Sequence, residues 1–275
     1  MNEKNYESQL SNEEKLRVDE LCALLHIDAS LVHYLETVDS TNTWARREAD
    51  AGAPDGSIYI ADHQTAGKGR RGRVWQSPAG TSVAFSIVLR PGIRPDHMSM
   101  LTLVMGMAAA EGFRRAEGVE ALIKWPNDAV VNGRKLVGIL TEMSPKCDYV
   151  IIGVGLNINQ TEFPEELRDK ATSLRMETGR ICSREKATAA VLNAFDRFYR
   201  TFLETADLSR LRGEYEAMLA NKNKAVRVLD PRAPFNGVAE GINDSGELLV
   251  RREDTNEVEA VFAGEVSVRG IYGYV

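Results

Sequence analysis

The 275-residue chain lacks the features of secreted, membrane-bound and disulfide-stabilised proteins. Its three cysteines, Cys22, Cys147 and Cys182, are widely spaced and form no CxxC pair, so neither a disulfide framework nor a zinc site is indicated. The first residues, MNEKNYESQLSNEEK, are too charged for a signal peptide, and the longest apolar runs are too short to cross a bilayer. These absences predict a soluble, cytoplasmic protein.

An excess of positive charge is missing as well. The chain has 34 Lys and Arg against 40 Asp and Glu, which gives a net charge of -6. This balance argues against general nucleic-acid or membrane binding. The hydrophobic fraction of 43% is that of an ordinary globular protein. A chain of this length can form one large domain, or one together with a small one.

Hydrophobic patterns predict an α+β protein in three parts. Residues 1–30 form a short helical extension, and residues 31–223 alternate strands and helices in one larger domain. Residues 224–275 contain only short strands separated by turns, which is typical of a small SH3-like barrel.

Several elements carry clear signals of their own. A helix is predicted over about residues 12–25, and two more over about 183–204 and 207–220. The pair Asn132 and Gly133, between two apolar runs, predicts a hairpin with a type I′ turn.

The stretch GKGRRGR, residues 67–73, concentrates positive charge after a predicted strand. Glycine lets the backbone approach a ligand closely, and arginine binds phosphate or carboxylate through two parallel hydrogen bonds. The loop therefore suits a small polyanion. It is not a Walker A loop, because Gly69 follows Lys68 where that motif has Ser or Thr. A solvated basic loop and an Arg/Gly RNA-binding segment remain as alternatives, although the net charge opposes the second.

Three further polar stretches lie at the ends of predicted elements. DSTN (39–42) begins a helix, whereas KWPND (124–128) and GVGLN (153–157) end apolar strands. Helix capping and turn formation account for some of these residues. Glycine in a strand usually marks the close approach of another group. Lys135 follows the hairpin turn, where a lone strand lysine is ordinarily solvated.

Taken together, these stretches resemble the biotin protein ligase family. The matching segments, in the family's order, are DSTN (39–42), QTAGKGRRGRVWQSP (64–78), KWPNDAVVNGRKLVGILTE (124–142), GVGLNIN (153–159) and GEVSVR (264–269). The resemblance implies a catalytic domain on the class II synthetase fold, with a mixed sheet backed by helices, followed by a small SH3-like domain.

The resemblance also implies a reaction in two steps. Biotin and MgATP form biotinyl-5′-AMP and pyrophosphate, and biotin then passes to one lysine of the biotin carboxyl carrier protein of acetyl-CoA carboxylase. A carboxylate that attacks a phosphate needs cations to offset the charge repulsion. The family's pattern assigns this catalytic role to Arg70, Arg71 and Lys135.

Binding roles follow from the same resemblance. Biotin is assigned to Ser40, Thr41, Asn42, Gln64, Gly67, Lys68, Gly69, Arg70 and Lys135. ATP is assigned to Arg71, Arg73, Trp75, Asn127, Asn157 and Arg269, with Trp75 as a flat platform for adenine, and Mg²⁺ is assigned to Asp128.

Two features depart from the family's usual pattern. Many members have arginine where this chain has Lys68, which keeps the charge but loses the two-pronged hydrogen bonding. Only about thirty residues precede the catalytic segment, which is short of a helix-turn-helix domain, so we expect no specific DNA binding. The resemblance also allows a homodimer paired through the central sheet.

Two rival functions are weighed against the ligase. Another acyl-adenylate ligase, such as a lipoate protein ligase, would bind a ring without a ureido group, which leaves the Ser-Thr-Asn run with less to bond. A non-catalytic regulator that binds biotin would have no use for the cations Arg70 and Lys135. Both features favour the biotin ligase.

Overall fold

The computed structural model describes residues 15–76, 78–230, 233–263 and 267–270. Its helices are α1 (Val18–Leu24), α2 (Thr41–Asp50), α3 (Leu101–Glu117), α4 (Leu174–Thr178), α5 (Arg184–Leu203) and α6 (Arg212–Met218). Its strands are β1 (Val32–Val38), β2 (Ile58–Gln64), β3 (Ser82–Leu89), β4 (Leu122–Lys124), β5 (Asp128–Val131), β6 (Arg134–Met143), β7 (Val150–Asn157), β8 (Lys224–Leu229), β9 (Phe235–Ile242), β10 (Leu248–Arg252), β11 (Val258–Val261) and β12 (Ser267–Gly270).

A seven-stranded mixed sheet, in the order β1-β2-β3-β7-β6-β5-β4, forms the centre of the molecule. The pair β1 and β2 is parallel, and the other neighbours are antiparallel. Strands β3 and β7 are buried along their whole length. The predicted mixed sheet backed by helices is confirmed.

The two faces of this sheet have separate hydrophobic cores. Ile60, Ile87 and Ile152 belong to the large core that includes α3 and α5. Tyr59 and Val88 belong to a smaller cluster with α2. Successive strand residues point to opposite faces, so α2 covers one face and the pair of long helices covers the other.

A close contact between α3 and α5 thickens the larger core. A Cβ atom on Gly112 of α3 would lie 2.7 Å from the backbone nitrogen and 2.8 Å from the Cα atom of Val191 in α5. The two helices therefore approach each other at a point where no side chain fits between them. Phe113, the next residue along α3, is fully buried in the same core.

A second, five-stranded antiparallel sheet follows, in the order β11-β10-β9-β8-β12. Its short strands are consistent with the expected SH3-like domain, although the two outer strands do not pair with each other in the described segments. Trp125 joins it to the rest of the chain, because its indole Nε1 donates to the carbonyl of Gly246 over 3.0 Å.

The predicted hairpin turn and one of the two predicted C-terminal helices are confirmed, and the other helix is shorter than predicted. Asn132 and Gly133 have φ angles of 50° and 75°, so the predicted hairpin turn is confirmed, and α5 matches the helix predicted over 183–204. The helix predicted over 207–220 is shorter, because the backbone of Leu208 donates to Asp244 outside any helix.

Two short helices, α1 and α4, differ from what the sequence predicts. The helix expected over 12–25 is seen from Val18 onward, and its first residues lie outside the described ranges. Sequence patterns did not predict α4. No helix in the described ranges is both long and apolar enough to span a membrane.

The contact at Gly112 can be tested with one methyl group. We expect Gly112→Ala to lower the free energy of unfolding by roughly 1–3 kcal/mol, because the added Cβ meets rigid backbone. Gly213→Ala in α6 is the matched control, since its Cβ would enter open space, and it should raise stability by up to about 1 kcal/mol. Urea denaturation measures both. A Gly112→Ala variant as stable as the parent would show that the helices can move apart.

Candidate functional site

The basic loop folds into a tight hairpin. The backbone nitrogen of Gly69 donates to the carbonyl of Arg73 over 2.7 Å, and that of Trp75 donates to Gly67 over 2.9 Å. Arg71 and Gly72 at the turn have φ angles of 58° and 71°. The left-handed conformation costs a non-glycine residue roughly 1–2 kcal/mol, so the backbone at Arg71 is strained.

Arg70 fastens this hairpin to two other parts of the chain. Its guanidinium donates to Oδ1 of Asn127 over 2.9 Å and to the carbonyl of Ala263 over 2.7 Å. Burial lowers the pKa of Arg70, and Asp128 opposes that shift. An arginine nonetheless stays charged at neutral pH. Arg70 therefore brings a positive charge to the point where the loop, the KWPND segment and the second sheet meet.

A neutral hydrogen-bond network lies at the beginning of α2. The backbone nitrogen and the hydroxyl of Thr41 donate to Oε1 of Gln64 over 2.8 and 3.1 Å. The hydroxyl of Ser86 lies 2.8 Å from that of Thr41 and donates to Oδ1 of Asn42 over 2.7 Å. Ser40 is the N-cap residue, but its side chain makes no capping hydrogen bond. Helix capping therefore does not explain this run of polar residues.

Asn42 is held from several directions. Its amide Nδ2 donates to Oε2 of Glu142 over 2.7 Å and to the carbonyl of Leu140 over 3.3 Å. Glu142 is held in turn by an ion pair of 2.9 Å with Arg46. A Cβ atom on Gly153 would overlap Oδ1 of Asn42, so this side chain lies directly against the backbone of β7.

A β-bulge decides where Lys135 points. Val130 of β5 pairs with Lys135, whereas the preceding Ala129 pairs with Val137, so Leu136 is an extra residue in β6. An extra residue breaks the regular alternation of side chains and redirects the neighbouring ones. The side chain of Lys135 consequently lies on the same face as Gly138, three positions away.

Contacts around Lys135 show what the bulge achieves. A Cβ atom on Gly138 would lie 3.1 Å from the Nζ atom of Lys135, so the lysine packs closely against the backbone at this glycine. The same Nζ atom lies 2.7 Å from Oδ1 of Asp128 and 5.4 Å from the centroid of the Trp75 ring. Lys135 is thus partly buried against Asp128 and Trp75 and does not extend freely into solvent.

Positive charge gathers around Asp128. Lys124 lies opposite Asp128 in the β4–β5 register and is only 6% exposed. The pKa of Lys124 is lowered to about 8, mainly by burial and also by the nearby Lys135, Arg269 and Arg73, while Asp128 opposes the shift. One carboxylate therefore faces an excess of cations, which suits the binding of an anion.

A cavity of about 40 Å³ lies between the neutral network and this cationic region. It is lined by Ser40, Thr41, Asn42, Gln64, Lys68, Gly69, Arg70, Trp75, Asn127, Lys135, Gly138, Ile139, Leu140, Gly153, Val154 and Gly155. Most residues singled out from the sequence are therefore brought together.

The remaining sequence-predicted residues do not line this cavity. Gly67 lies behind Gln64, and Arg71 and Arg73 are exposed on the loop. Asp128 is ion-paired with Lys135, which does line the cavity. Arg269 is exposed in β12. The last of them, at the end of β7, is the buried Asn157, whose Oδ1 accepts from Gln160 over 3.1 Å.

Three site residues were missed by sequence reasoning. Ser86 was signalled only by a polar residue inside an apolar, fully buried strand. Glu142, at the end of β6, does not line the cavity but accepts from Asn42 and pairs with Arg46, and Gly138 lies closely against Lys135. These residues lie in β3 and β6, and their contacts depend on strand pairing that a local sequence pattern does not predict.

The cation-rich cavity on this fold suits the activation of a carboxylate, which is the reaction of acyl-activating protein ligases. Residues 34–157 match the biotin/lipoate A/B protein ligase family, and residues 223–269 match the biotin protein ligase C-terminal domain. The chain belongs to the biotin protein ligase family.

Individual relatives agree with this assignment. The chain is 37% identical over 241 residues to the bifunctional ligase/repressor BirA of Bacillus subtilis, covering 86% of this chain and 73% of that protein. It is 33% identical over 242 residues to the biotin–[acetyl-CoA-carboxylase] ligase of Paracoccus denitrificans, covering 84% and 100%. The biotin protein ligase of Aquifex aeolicus, solved in complex with biotin and ATP, aligns with a TM-score of 0.78 and 30% identity over 87% of this chain and 98% of that one.

The packing of Asn42 against the backbone of Gly153 can be tested by adding a methyl group at Gly153. Gly153→Ala should lower the free energy of unfolding by roughly 1–3 kcal/mol, because the added methyl overlaps a side chain that three hydrogen-bond partners hold in place. In the double variant Asn42→Ala/Gly153→Ala the methyl group no longer meets the Asn42 side chain. The double variant should therefore lose less free energy of unfolding than the two single variants together, by roughly 0.5–3 kcal/mol. Denaturation of the four proteins gives this coupling. Simple additivity would argue against the contact.

Proposed function

We propose that this protein activates biotin with ATP to form biotinyl-5′-AMP and pyrophosphate, and then transfers biotin to a lysine of the biotin carboxyl carrier protein of acetyl-CoA carboxylase. The observation that carries the proposal is the polarity of the cavity. A neutral hydrogen-bond network lies at one end, and Arg70 and Lys135 lie at the other. The relatives named for this reaction, and the Aquifex aeolicus complex with biotin and ATP, support it.

The neutral end suits the ureido ring of biotin. A ureido group presents one carbonyl acceptor and two N–H donors, and hydroxyl and amide side chains can supply both kinds of partner. We assign this end to Ser40, Thr41, Asn42 and Gln64, all of which are at most 9% exposed. The dithiolane ring of lipoate has no ureido group and offers these side chains no comparable hydrogen-bond partners. The network therefore favours biotin over lipoate.

The cationic end suits the first chemical step. A carboxylate oxygen of biotin attacks the α-phosphorus of ATP, the bond to the β-phosphate breaks, and pyrophosphate leaves. Arg70 and Lys135 can offset the repulsion between carboxylate and phosphate while the new bond forms. Arg71 and Arg73 on the exposed loop can stabilise the negative charge that develops on pyrophosphate as it leaves. The buried Lys124 adds to the positive electrostatic potential of the site. Gly67, Lys68 and Gly69 would supply backbone close to biotin.

The second step needs no nucleophile from this chain. The amine of the carrier lysine attacks the carbonyl of the mixed anhydride, and AMP leaves. We assign the nucleotide to Trp75, Asn127, Asn157 and Arg269. Arg269 stands in β12 of the second sheet, so both parts of the chain would contribute to one site.

We assign Asp128 to a magnesium ion that arrives with ATP, which would have to compete with Lys135 for this carboxylate. The described residues include no group of three or more His, Cys, Asp or Glu side chains that could hold a metal by themselves. Magnesium is usually held by one or two carboxylates together with substrate phosphates and water, which a single buried carboxylate can serve. The ion would neutralise phosphate charge at that position.

Pyrophosphate exchange tests the assignment as a whole. Exchange of labelled pyrophosphate into ATP should depend on biotin and on Mg²⁺, and lipoate or octanoate should not support it. Removing Mg²⁺ with a chelator should abolish the exchange. Exchange that needs no biotin, or that runs on lipoate, would refute the assignment.

Lys135→Ala separates a catalytic lysine from a structural one. We expect biotin-dependent exchange to fall by roughly 10²–10³, because the variant loses a charged group aimed at the reacting carboxylate. The variant loses the ion pair with Asp128, but Lys124 still faces that carboxylate, so we expect a folded protein with only a modest fall in melting temperature. Lys224→Ala, at an exposed strand lysine of β8, is the control and should leave the rate unchanged. A Lys135→Ala rate within a few-fold of the parent would remove Lys135 from the reaction.

A further inference from the structure

The indole of Trp75 lies inside the cavity and not beside it. A Cβ atom on Gly155 would overlap the ring, and one on Gly138 would lie 2.7 Å from its Cζ3 atom. Gly138 and Gly155 are direct partners in the β6–β7 pair. The ring therefore lies against the bare backbone of two central strands, on the surface that separates the neutral end of the cavity from the cationic end.

The ring leaves too little room for a substrate. The space that remains is about 40 Å³. A single buried water needs roughly 10–15 Å³ on this measure, so the cavity holds about three waters. Biotin has two fused rings and a five-carbon acid chain. Biotin is larger than this remaining space, so the indole restricts its access to this surface.

The inward position of the indole carries costs. Its Nε1 atom is buried and finds no hydrogen-bond partner in the part of the chain that the structure describes. A buried donor left unpaired costs roughly 1–3 kcal/mol. The same hairpin holds Arg71 in the left-handed region. The inward conformation is thus one that a well-matched ligand can displace.

Two contacts hold the ring in place despite these costs. Arg70 fastens the hairpin to Asn127 and Ala263. The ammonium of Lys135 lies 5.4 Å from the ring centroid, within the range of a cation–π attraction. Lys135, which faces the ring, and Arg70, which holds the hairpin, are the two residues assigned above to the acyl-phosphate centre.

We infer that Trp75 is an internal competitor of biotin: its indole fills the biotin site, and biotin binds only when the hairpin 67–75 carries the ring outward. This inference rests on the proposed function. The outward movement would also make the indole available to adenine, so one side chain would serve in both conformations. The apparent affinity for biotin then equals the intrinsic affinity multiplied by the fraction of molecules whose ring is outside.

Biotin binding without ATP tests the inference apart from any role of Trp75 with adenine. In Trp75→Ala, calorimetry should show about 10-fold tighter binding, or more, because a minor state populated at a few per cent becomes the main one. Stopped-flow association should quicken by a similar factor. Trp75→Phe, with a smaller ring, should fall between the parent and the alanine variant.

Val74→Ala is the matched control. Val74 lies in the same hairpin, but its side chain is 74% exposed and does not line the cavity, so biotin binding should not change. Equal or weaker binding of biotin by folded Trp75→Ala and Trp75→Phe, beside a parent that binds it, would overturn the inference alone. Failure of the folded parent and of both variants to bind biotin would instead overturn the proposed function.

Discussion

The site depends on the packing of side chains directly onto glycine backbone in β6 and β7. Gly153 leaves the space that holds Asn42, Gly138 leaves space for Lys135, and Gly155 leaves space for the Trp75 ring. Asn42, Lys135 and Trp75 come from a helix, a hairpin and a loop that are far apart in the sequence. They meet because glycines at three positions of these two strands leave the backbone open on one face of the sheet.

That surface also explains why an acidic chain carries a strongly basic loop. The charge is used locally, where Arg70 of the loop joins Lys124 and Lys135 near the single carboxylate of Asp128. The opposite end of the surface is neutral and rich in amide and hydroxyl groups. A molecule with a polar, uncharged head and a carboxylate tail, such as biotin, matches both ends at once.

Much of this arrangement could be predicted from the sequence, because its signals are local. The turn at Asn132 and Gly133 and the close approach at the GVGLN glycines follow from residue type and position. The direction of Lys135 could not, because it depends on a bulge that strand pairing creates. Long-range pairing also brings Ser86 to Asn42 and places Trp75 on the strand surface. The roles of the individual site residues remain predictions.

Fluorine NMR of protein labelled with 5-fluorotryptophan tests the central claim most directly, namely that biotin binds on the glycine surface where the indole now lies. Trp44 and Trp125 are 8% and 1% exposed and serve as internal references, and Trp75→Phe assigns the third resonance. Biotin should move the Trp75 resonance towards its solvent-exposed position and leave the other two unchanged, whereas lipoate should have no effect. A Trp75 resonance that stays in place when biotin saturates the protein would contradict the account.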